Sequence, residues 1–292
     1  MNAFTIKDLE NLSGIKAHTI RIWEQRYSFL KPQRTNTNIR YYTNDELKKL
    51  LNIALLNKYG YKISHIDRMS GGEIKEKIVS LTQTEAQQDR IVNDLIRQMV
   101  DLDTEGFEFT LDNHIVTRGI EKAIIHVIFP FLEKIGVLWV TNHIIPAQEH
   151  LASNIIRQKL VMGIENAHSH IKTNKTILLF LPESEHHEIG LLFAHYLLKN
   201  RGFKILYMGA DTPLDDVAFV VKQKKPDLIY SHLISVPANF NFDKFLHAIG
   251  TLSAGIPVIL SGQLKSHTKK NLSANIHYKH SFPEILEYIS AL

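Results

Sequence analysis

The chain has 292 residues, 44% of them hydrophobic and 22% charged, which is the composition of an ordinary globular protein with about two or three domains. It contains no cysteine, so disulfides and thiolate metal sites are excluded, and a metal would need histidine, carboxylates or a cofactor. No apolar run approaches the ~20 residues that span a bilayer. The first residues have no basic stretch followed by an apolar core, so we expect no secretion. We therefore expect a cytoplasmic protein with no membrane partner.

The net charge of +4 is unevenly distributed. Residues 1–70 contain twelve Lys and Arg against six Asp and Glu, which leaves −2 for the other 222 residues. A basic module on a near-neutral body indicates a polyanion partner, such as a nucleic acid, for the N-terminal part alone. A solvated, slightly basic surface would have the same composition, so charge does not decide between the two.

The N-terminal residues predict a compact helical module with a hairpin. Two short helices are separated by a Ser-Gly break, which is the helix-turn-helix pattern. A polar stretch and a short strand then form a hairpin-like wing, and a capped helix follows. The predicted elements are helices over 4–12, 16–26, 45–58 and 64–69 and a strand over 39–42, with the module ending near residue 72.

The middle of the chain has helical periodicity and almost no strand pattern. Four or five helices packed as a bundle fit residues 73–170. The predicted helices cover 73–82, 84–101, 102–113, 115–138 with a break near Pro130, and 146–165.

After residue 174 the period changes, because short apolar runs alternate with helical patterns. This alternation predicts a parallel sheet, wound right-handedly with helices on both faces, in a flavodoxin-like order. The predicted strands cover 176–181, 204–208, 228–233 and 258–261, and the helices 187–201, 213–224, 241–253 and 283–290. The expected fold class is thus a multidomain α plus α/β protein. Its parts are a winged helix (1–72), a helical bundle (73–170) and a flavodoxin-like parallel sheet (171–292).

The second helix and the wing carry a specific succession of residues. TIRIWEQRY is followed by LKPQR and then by RYY. This succession resembles the winged-helix domain of MerR-type transcription regulators. The resemblance implies a double-stranded DNA partner, contacted by the helix in the major groove and by the wing along the backbone. The DNA contacts that it implies are His18, Thr19, Arg21, Arg26, Arg34, Arg40 and Tyr41.

Other roles are open for single residues of this module. Arg21 or Arg40 could be a surface charge paired with Glu24 or Asp45. Regulators of this type usually dimerise to read a palindrome, so the resemblance also implies a homo-oligomer.

The stretch ESEHHEIG, residues 183–190, follows the first predicted strand of the sheet. Adjacent histidines cannot both face one point, so a two-histidine metal site is disfavoured. Glu183 and Glu185 could converge as an acid/base pair, and a single histidine at a strand end could equally be structural. Ligands of open parallel sheets bind at the carboxyl ends of the strands, however, and this stretch lies at such an end.

The spacing Glu185-x-His187-x-x-Gly190 resembles the D-x-H-x-x-G signature of cobalamin-binding flavodoxin-like domains, with Glu in place of Asp. The resemblance implies His187 as the cobalt ligand, Glu185 as the carboxylate that holds its other ring nitrogen, and Gly190 as a point of close cofactor approach. His186 and Glu188 are expected to take no part. Ser231-His232-Leu233 matches the family's S-x-L, and Ser261-Gly262 stands where the family usually has Gly-Gly. The further cofactor contacts that these matches imply are Ser231, Leu233, Ser261 and Gly262.

A second cofactor motif lies in the helical middle, where nine residues separate Trp139 from Glu149-His150. This W-x9-E-H pattern resembles the cap of MerR-type regulators that bind adenosylcobalamin and respond to light. The resemblance implies that all three side chains contact the adenosyl group. Alternatively, the Trp is a core residue and the Glu-His pair is a helix start. Some relatives have a histidine directly after the Trp, where this chain has Val140, and His143 is a candidate substitute.

These matches lead to the hypothesis of a DNA-binding repressor, without enzymatic activity, whose oligomeric state is set by adenosylcobalamin. The chain departs from the family motifs at Glu185, Ser261 and Val140. These departures favour an alternative hypothesis, a regulator of the same build that binds cobalamin weakly or not at all. A second alternative is a corrinoid module like those of methyltransferases, which also pair a helical cap with this sheet.

Overall fold

The computed structural model describes residues 3–140, 145–170, 172–235, 240–253, 255–262 and 273–290, without the side chains of 137–140 and 289. The chain forms two compact units, Met1–Ile156 and Arg157–Leu292. A finer division, with boundaries after residues 72 and 170, stays a prediction.

The first unit begins with the expected helix-turn-helix and wing. The side chains of Thr5 and Thr43 each form a capping box with an acidic residue three positions on, which satisfies backbone donors at a helix start. Gly14 ends the first helix with a left-handed φ of 75°, which permits the tight turn. Phe4 pairs with Tyr42 and so lies before the helix rather than in it. The elements are α1 (Ile6–Ser13), α2 (Ala17–Arg26), β1 (Gln33–Arg34), β2 (Arg40–Tyr41), α3 (Asn44–Lys58) and α4 (Ile63–Ile66).

The helical bundle follows, and its last helix continues into the second unit. The break expected near Pro130 takes the form of a π-helical turn, Ile124–Ile128. Proline lacks an N–H and its ring clashes with a carbonyl four residues earlier, so the widened turn relieves that position. Phe107 and Phe131 are buried edge to face in the core. The helices are α5 (Gly71–Val79), α6 (Thr84–Asp101), α7 (Thr104–Arg118), α8 (Ile120–Ala123), α9 (Phe129–Val140) and α10 (Pro146–Asn166).

The second unit contains a five-stranded parallel sheet in the order β4-β3-β5-β6-β7, which confirms the flavodoxin-like expectation. Alternate residues of the central strand face opposite layers: Leu178 packs with the core beneath α12 and α13, and Leu179 with the core beneath α11 and α14. The elements are β3 (Thr176–Pro182), α11 (Ile189–Asn200), β4 (Lys204–Thr212), α12 (Leu214–Lys224), β5 (Leu228–Leu233), α13 (Phe242–Leu252), β6 (Val258–Gly262), β7 (Ile276–Lys279) and α14 (Phe282–Ser290).

The edge strand β7 is an addition to the predicted elements. Of its four residues only Ile276 is fully buried, so it has no continuous apolar run. Among the helices that the structure describes, none is long and apolar enough to cross a membrane.

Candidate functional site

The carboxyl ends of β3, β5 and β6 bring together the residues of the predicted sheet site. The chain leaves β3 at Pro182 and turns through Ser184, whose φ of 69° is left-handed. The turn is held because the Ser184 amide donates to the Asp211 carboxylate at 2.8 Å, and the Glu185 amide donates to the Pro182 carbonyl at 3.0 Å. This turn directs the Glu185 side chain into the protein.

The Glu185 carboxylate is fully buried and accepts four hydrogen bonds. One oxygen takes the backbone amide of His187 at 2.9 Å and its ring Nδ1 at 2.7 Å. The other takes the amides of Ile234 and Ser235, both at 2.7 Å. Burial alone would raise the pKa of Glu185, but the hydrogen bonds from His187 and the two loop amides outweigh it and lower the pKa to about 2. The group is therefore an ionised buried acceptor at neutral pH.

The ionised Glu185 fixes the tautomer of His187. Since Nδ1 must carry the proton that it donates, the lone pair of a neutral ring is on Nε2. The His187 side chain is about half exposed, at 49%, so the ring can meet a ligand. The longer Glu in place of Asp keeps this contact, because the two loop amides after β5 anchor its second oxygen.

The ends of β5 and β6 lie beside this pair, with His232 opposite Ser261 and Leu233 opposite Gly262 in the register. Gly262 has a φ of 112°, and a Cβ there would lie 1.8 Å from the Leu233 carbonyl oxygen, so only glycine fits. The Ser231 hydroxyl is buried and has no hydrogen-bond partner within the described residues. An orphaned buried hydroxyl at a strand end is a point at which a polar ligand atom could bind.

The space above Gly190 is filled by a residue that the sequence did not single out. A Cβ on Gly190 would lie 2.3 Å from Cδ2 and 2.5 Å from Nε2 of His232. The His232 Nδ1 lies 2.7 Å from the Ser261 hydroxyl, which is also 2.8 Å from the Tyr230 hydroxyl. The close approach at Gly190 is therefore to an imidazole of the same chain. The only sequence signal was the histidine inside the S-x-L match.

Glu188 makes structural contacts beside His187, while its expected lack of a part in cofactor binding stays a prediction. Its carboxylate accepts from the Tyr207 hydroxyl at 2.6 Å and from Arg157 Nε at 2.9 Å. These bonds tie α10, the start of α11 and β4 together next to His187. Such a contact joins residues 31 positions apart, and no local pattern marks it. His186 is exposed, and its expected lack of a role stays a prediction.

The residues of the predicted cap motif lie in the first unit. Glu149 and His150 lie near the start of α10 and pair with each other, His150 Nδ1 lying 2.9 Å from a Glu149 oxygen. Glu149 also accepts from the Ser153 hydroxyl one turn on. Trp139 lies in α9 with its side chain outside the described part of the structure, and His143 lies outside it altogether.

The predicted DNA-contacting residues lie on α2 and the wing, and most are exposed. Trp23, on the same helix but not among the predicted contacts, is buried and packs edge to face on Phe29. Arg34 donates to the Asn38 side chain at 2.7 Å and so braces the wing turn. The predicted contacts with exposed side chains are His18, Arg21, Arg26, Arg34 and Arg40, while Thr19 and Tyr41 are half-buried.

The alternative role for the two arginines is not supported by the contacts. Asp45 pairs with Lys48, and Glu24 accepts from the Tyr42 hydroxyl. In the part of the chain that the structure describes, neither Arg21 nor Arg40 forms an ion pair. Both charges are available to a polyanion.

Two protein-family models match parts of the chain. The MerR HTH family regulatory protein model matches residues 4–72, which hold α1–α4 and the wing. The B12 binding domain model matches residues 91–162, which hold most of α6 and the helices up to α10. The chain is therefore similar to MerR regulatory proteins over its N-terminal module and to B12 binding domains over its helical middle.

Two curated relatives from Myxococcus xanthus match over most of the chain. The HTH-type transcriptional repressor CarA is 27% identical over 289 residues, covering 96% of this chain and 94% of the relative. The HTH-type transcriptional repressor CarH is 27% identical over 270 residues, covering 89% and 88%. Among solved structures, the monomethylamine corrinoid protein of Methanosarcina barkeri has a TM-score of 0.53 at 14% identity, covering 70% of this chain and all of that one. This last likeness shows the fold alone.

The chemistry of the sheet site fits a cobalamin in two respects. A single half-exposed imidazole, whose tautomer Glu185 fixes, suits a metal that brings its own equatorial ligands. The orphaned Ser231 hydroxyl offers a polar contact at the strand ends.

Proposed function

We propose that this protein is a cytoplasmic transcriptional repressor, not an enzyme, whose oligomeric state and operator binding are controlled by adenosylcobalamin. The observation that carries the proposal is the union in one chain of a MerR-type DNA-binding domain and a B12-binding domain, which two repressors of similar length share. DNA would be contacted by the exposed cations of α2 and the wing.

In this proposal, His187 is the cobalt ligand and Glu185 sets its basicity. The carboxylate holds the Nδ1 proton, which leaves the lone pair of the neutral ring on Nε2 and strengthens it as a donor to cobalt. Ser231, Leu233, Ser261 and Gly262 line the space for the displaced nucleotide tail, where the Ser231 hydroxyl would gain the partner that it lacks.

The adenosyl form rests on the cap motif. Trp139, Glu149 and His150 are proposed to recognise the adenosyl group. When bound, adenosylcobalamin supplies a cobalt–carbon bond that light can break. Val140 cannot ligate cobalt, so a response to light in this chain would proceed without a ligand at that position.

Control of DNA binding follows from linkage. An assembled form that binds the cofactor more tightly than the monomer does is stabilised by it, and loss of the adenosyl group reverses the shift. Assembly places several winged helices on one operator, and this raises avidity without any new contact. Illumination would then release the DNA.

Size-exclusion chromatography of the full chain tests the proposal. With adenosylcobalamin in the dark we expect an earlier elution, carrying the red cofactor, and a return to the later position after illumination. His187→Ala should abolish both effects, whereas His186→Ala, the same change on the exposed neighbouring histidine, should preserve them. An unchanged elution volume in the dark and in the light would contradict the switch, although not DNA binding.

A second candidate is a regulator of this build that binds cobalamin only weakly. The observation that favours it is the His232 ring, which is hydrogen-bonded to Ser261 in the space above Gly190. Protein purified with adenosylcobalamin would then be colourless, and His187→Ala would leave its elution and DNA binding unchanged.

A further inference from the structure

The imidazole of His232 and the nucleotide tail of a cobalamin need the same space. The ring edge lies so close to Gly190 that a single methyl group there would overlap it. Gly190 is the second residue of α11, so the ring lies between this helix and the ends of β5 and β6. The proposed tail contacts Ser231 and Ser261 are its immediate neighbours.

The ring is held in place by three contacts. Its Nδ1 lies 2.7 Å from the Ser261 hydroxyl and 3.4 Å from the hydroxyl of the fully buried Tyr230. Its face stacks on Phe282 of α14, with the ring centroids 5.7 Å apart and an interplanar angle of 24°. Burial lowers the pKa of His232 to about 4, so the ring is neutral at pH 7. A neutral ring that is fixed by a hydrogen bond and an aromatic stack stably occupies the space at Gly190.

The serine at position 261 explains why the ring stays there. It is 2% exposed and lies opposite His232 in the register of β5 and β6. A glycine at this position would offer no hydroxyl, and the His232 Nδ1 would keep only its longer contact of 3.4 Å with the Tyr230 hydroxyl. The two residues thus form one unit, in which Ser261 supplies the hydrogen bond and His232 fills the space.

We propose that His232 is a gating residue, whose imidazole closes the tail space at Gly190 and must swing out before a cobalamin can insert its nucleotide tail. This inference rests on the proposed cobalamin binding and deepens it. Opening breaks the bond to Ser261 and the stack on Phe282, so the gate weakens and slows binding of tailed corrinoids. It does not affect corrinoids without a tail.

Binding of adenosylcobalamin to the full chain in the dark, followed by the absorbance change on base displacement, tests the gate. His232→Ala should bind about tenfold more tightly and faster than the unaltered protein, as expected for losing one buried hydrogen bond and a stack. Cobinamide, a corrinoid without the nucleotide tail, has no base to displace, so its binding is measured by equilibrium dialysis and should be equal for both proteins. His186→Ala is the matched control and should change neither affinity.

The possible results separate the gate from the proposed function. If the unaltered protein binds adenosylcobalamin and His232→Ala binds it equally or more weakly, the gate is overturned. If His232→Ala raises the affinity for both corrinoids equally, the substitution does not act through the nucleotide tail, and the gate is again overturned. If neither protein binds either corrinoid, the proposed function fails together with the gate.

A double-mutant cycle checks the contact without any cofactor. Gly190→Ala should lower the melting temperature by several degrees in the unaltered protein, because its methyl group displaces the His232 ring. In the His232→Ala background the same change should be neutral or stabilising, since alanine favours a helix. Equal effects in both backgrounds would show that the ring is not at Gly190 and would overturn the gate.

Discussion

Gly262 and Gly255 have similar left-handed backbones but different surroundings. Gly262 has a φ of 112° and its missing Cβ would lie 1.8 Å from a backbone carbonyl oxygen, which cannot move aside. Gly255 has a φ of 86° and no described atom within 4 Å of that position. A side chain would therefore strain the backbone at both sites, but it would clash with a neighbouring atom only at Gly262.

This difference predicts the outcome of two alanine substitutions. Gly262→Ala should lower the free energy of unfolding by about 3 kcal/mol or more, since it adds a backbone clash to a strained φ. Gly255→Ala should lower it by only about 1 kcal/mol, the strain alone. Urea titrations followed by circular dichroism measure both. Equal losses would mean that β5 and β6 do not approach as described.

Glu185 makes the site sensitive to acid. Its pKa is lowered to about 2 from an ordinary 4.5, so its contribution to stability is present above pH 4.5 and is lost as the pH falls towards 2. Glu185→Gln should lower the free energy of unfolding by about 3 kcal/mol at neutral pH, and this difference from the unaltered protein should shrink below pH 4.5.

The exposed Glu183 of the same loop provides the control for this pH dependence. Glu183→Gln should change the free energy of unfolding by less than about 0.5 kcal/mol at any of these pH values. A Glu185→Gln difference that stays constant from neutral to acid pH would argue against an ionised, four-fold hydrogen-bonded carboxylate.

At the scale of residues, the sequence predicted what is local. Glu185 and His187 are two positions apart, so their spacing already places a carboxylate beside a ring. The His232 ring meets Gly190 from 42 positions away, and only the fold brings them together. The same holds for Glu188, whose partners lie on α10 and β4.

At the scale of elements, periodicity found most helices and four of the five strands of the sheet. Buried strands such as β3 are continuous apolar runs and are easily recognised. The edge strand β7 contains His277 and Lys279 and is buried only at Ile276, so its sequence has no strand signal of that kind. The sequence predicted a break in the helix near Pro130, but it did not predict that the break would be a π-helical turn.

The wing and α2 act as one charged surface, and this predicts the salt dependence of DNA binding. Arg21→Gln and Arg40→Gln should each weaken binding to duplex DNA and lower the slope of log K against log salt by about 1, one phosphate contact each. Fluorescence anisotropy over a range of salt concentrations measures this slope. Because both side chains are exposed and make no described ion pair, the melting temperature should not change.

Lys75→Gln is the matched control for charge. Lys75 is exposed on α5 and lies outside the residues matched by the MerR family model, yet its substitution removes the same charge. A slope lowered as much by Lys75→Gln as by Arg21→Gln would mean that the net charge of the chain, and not the wing and α2, sets DNA affinity.

At the scale of the whole molecule, the proposed switch predicts how the number of DNA contacts responds to the cofactor. Each bound winged helix adds its own phosphate contacts, so an assembly that places several on one duplex has a proportionally steeper salt slope. Adenosylcobalamin in the dark should therefore steepen the slope about twofold for two engaged winged helices and more for a larger assembly. His187→Ala should keep the shallow slope with and without cofactor, while His186→Ala should respond like the unaltered protein. A slope that the cofactor leaves unchanged, even where size-exclusion chromatography shows assembly, would mean that the assembled form engages DNA through a single winged helix, and avidity would then not be the basis of control.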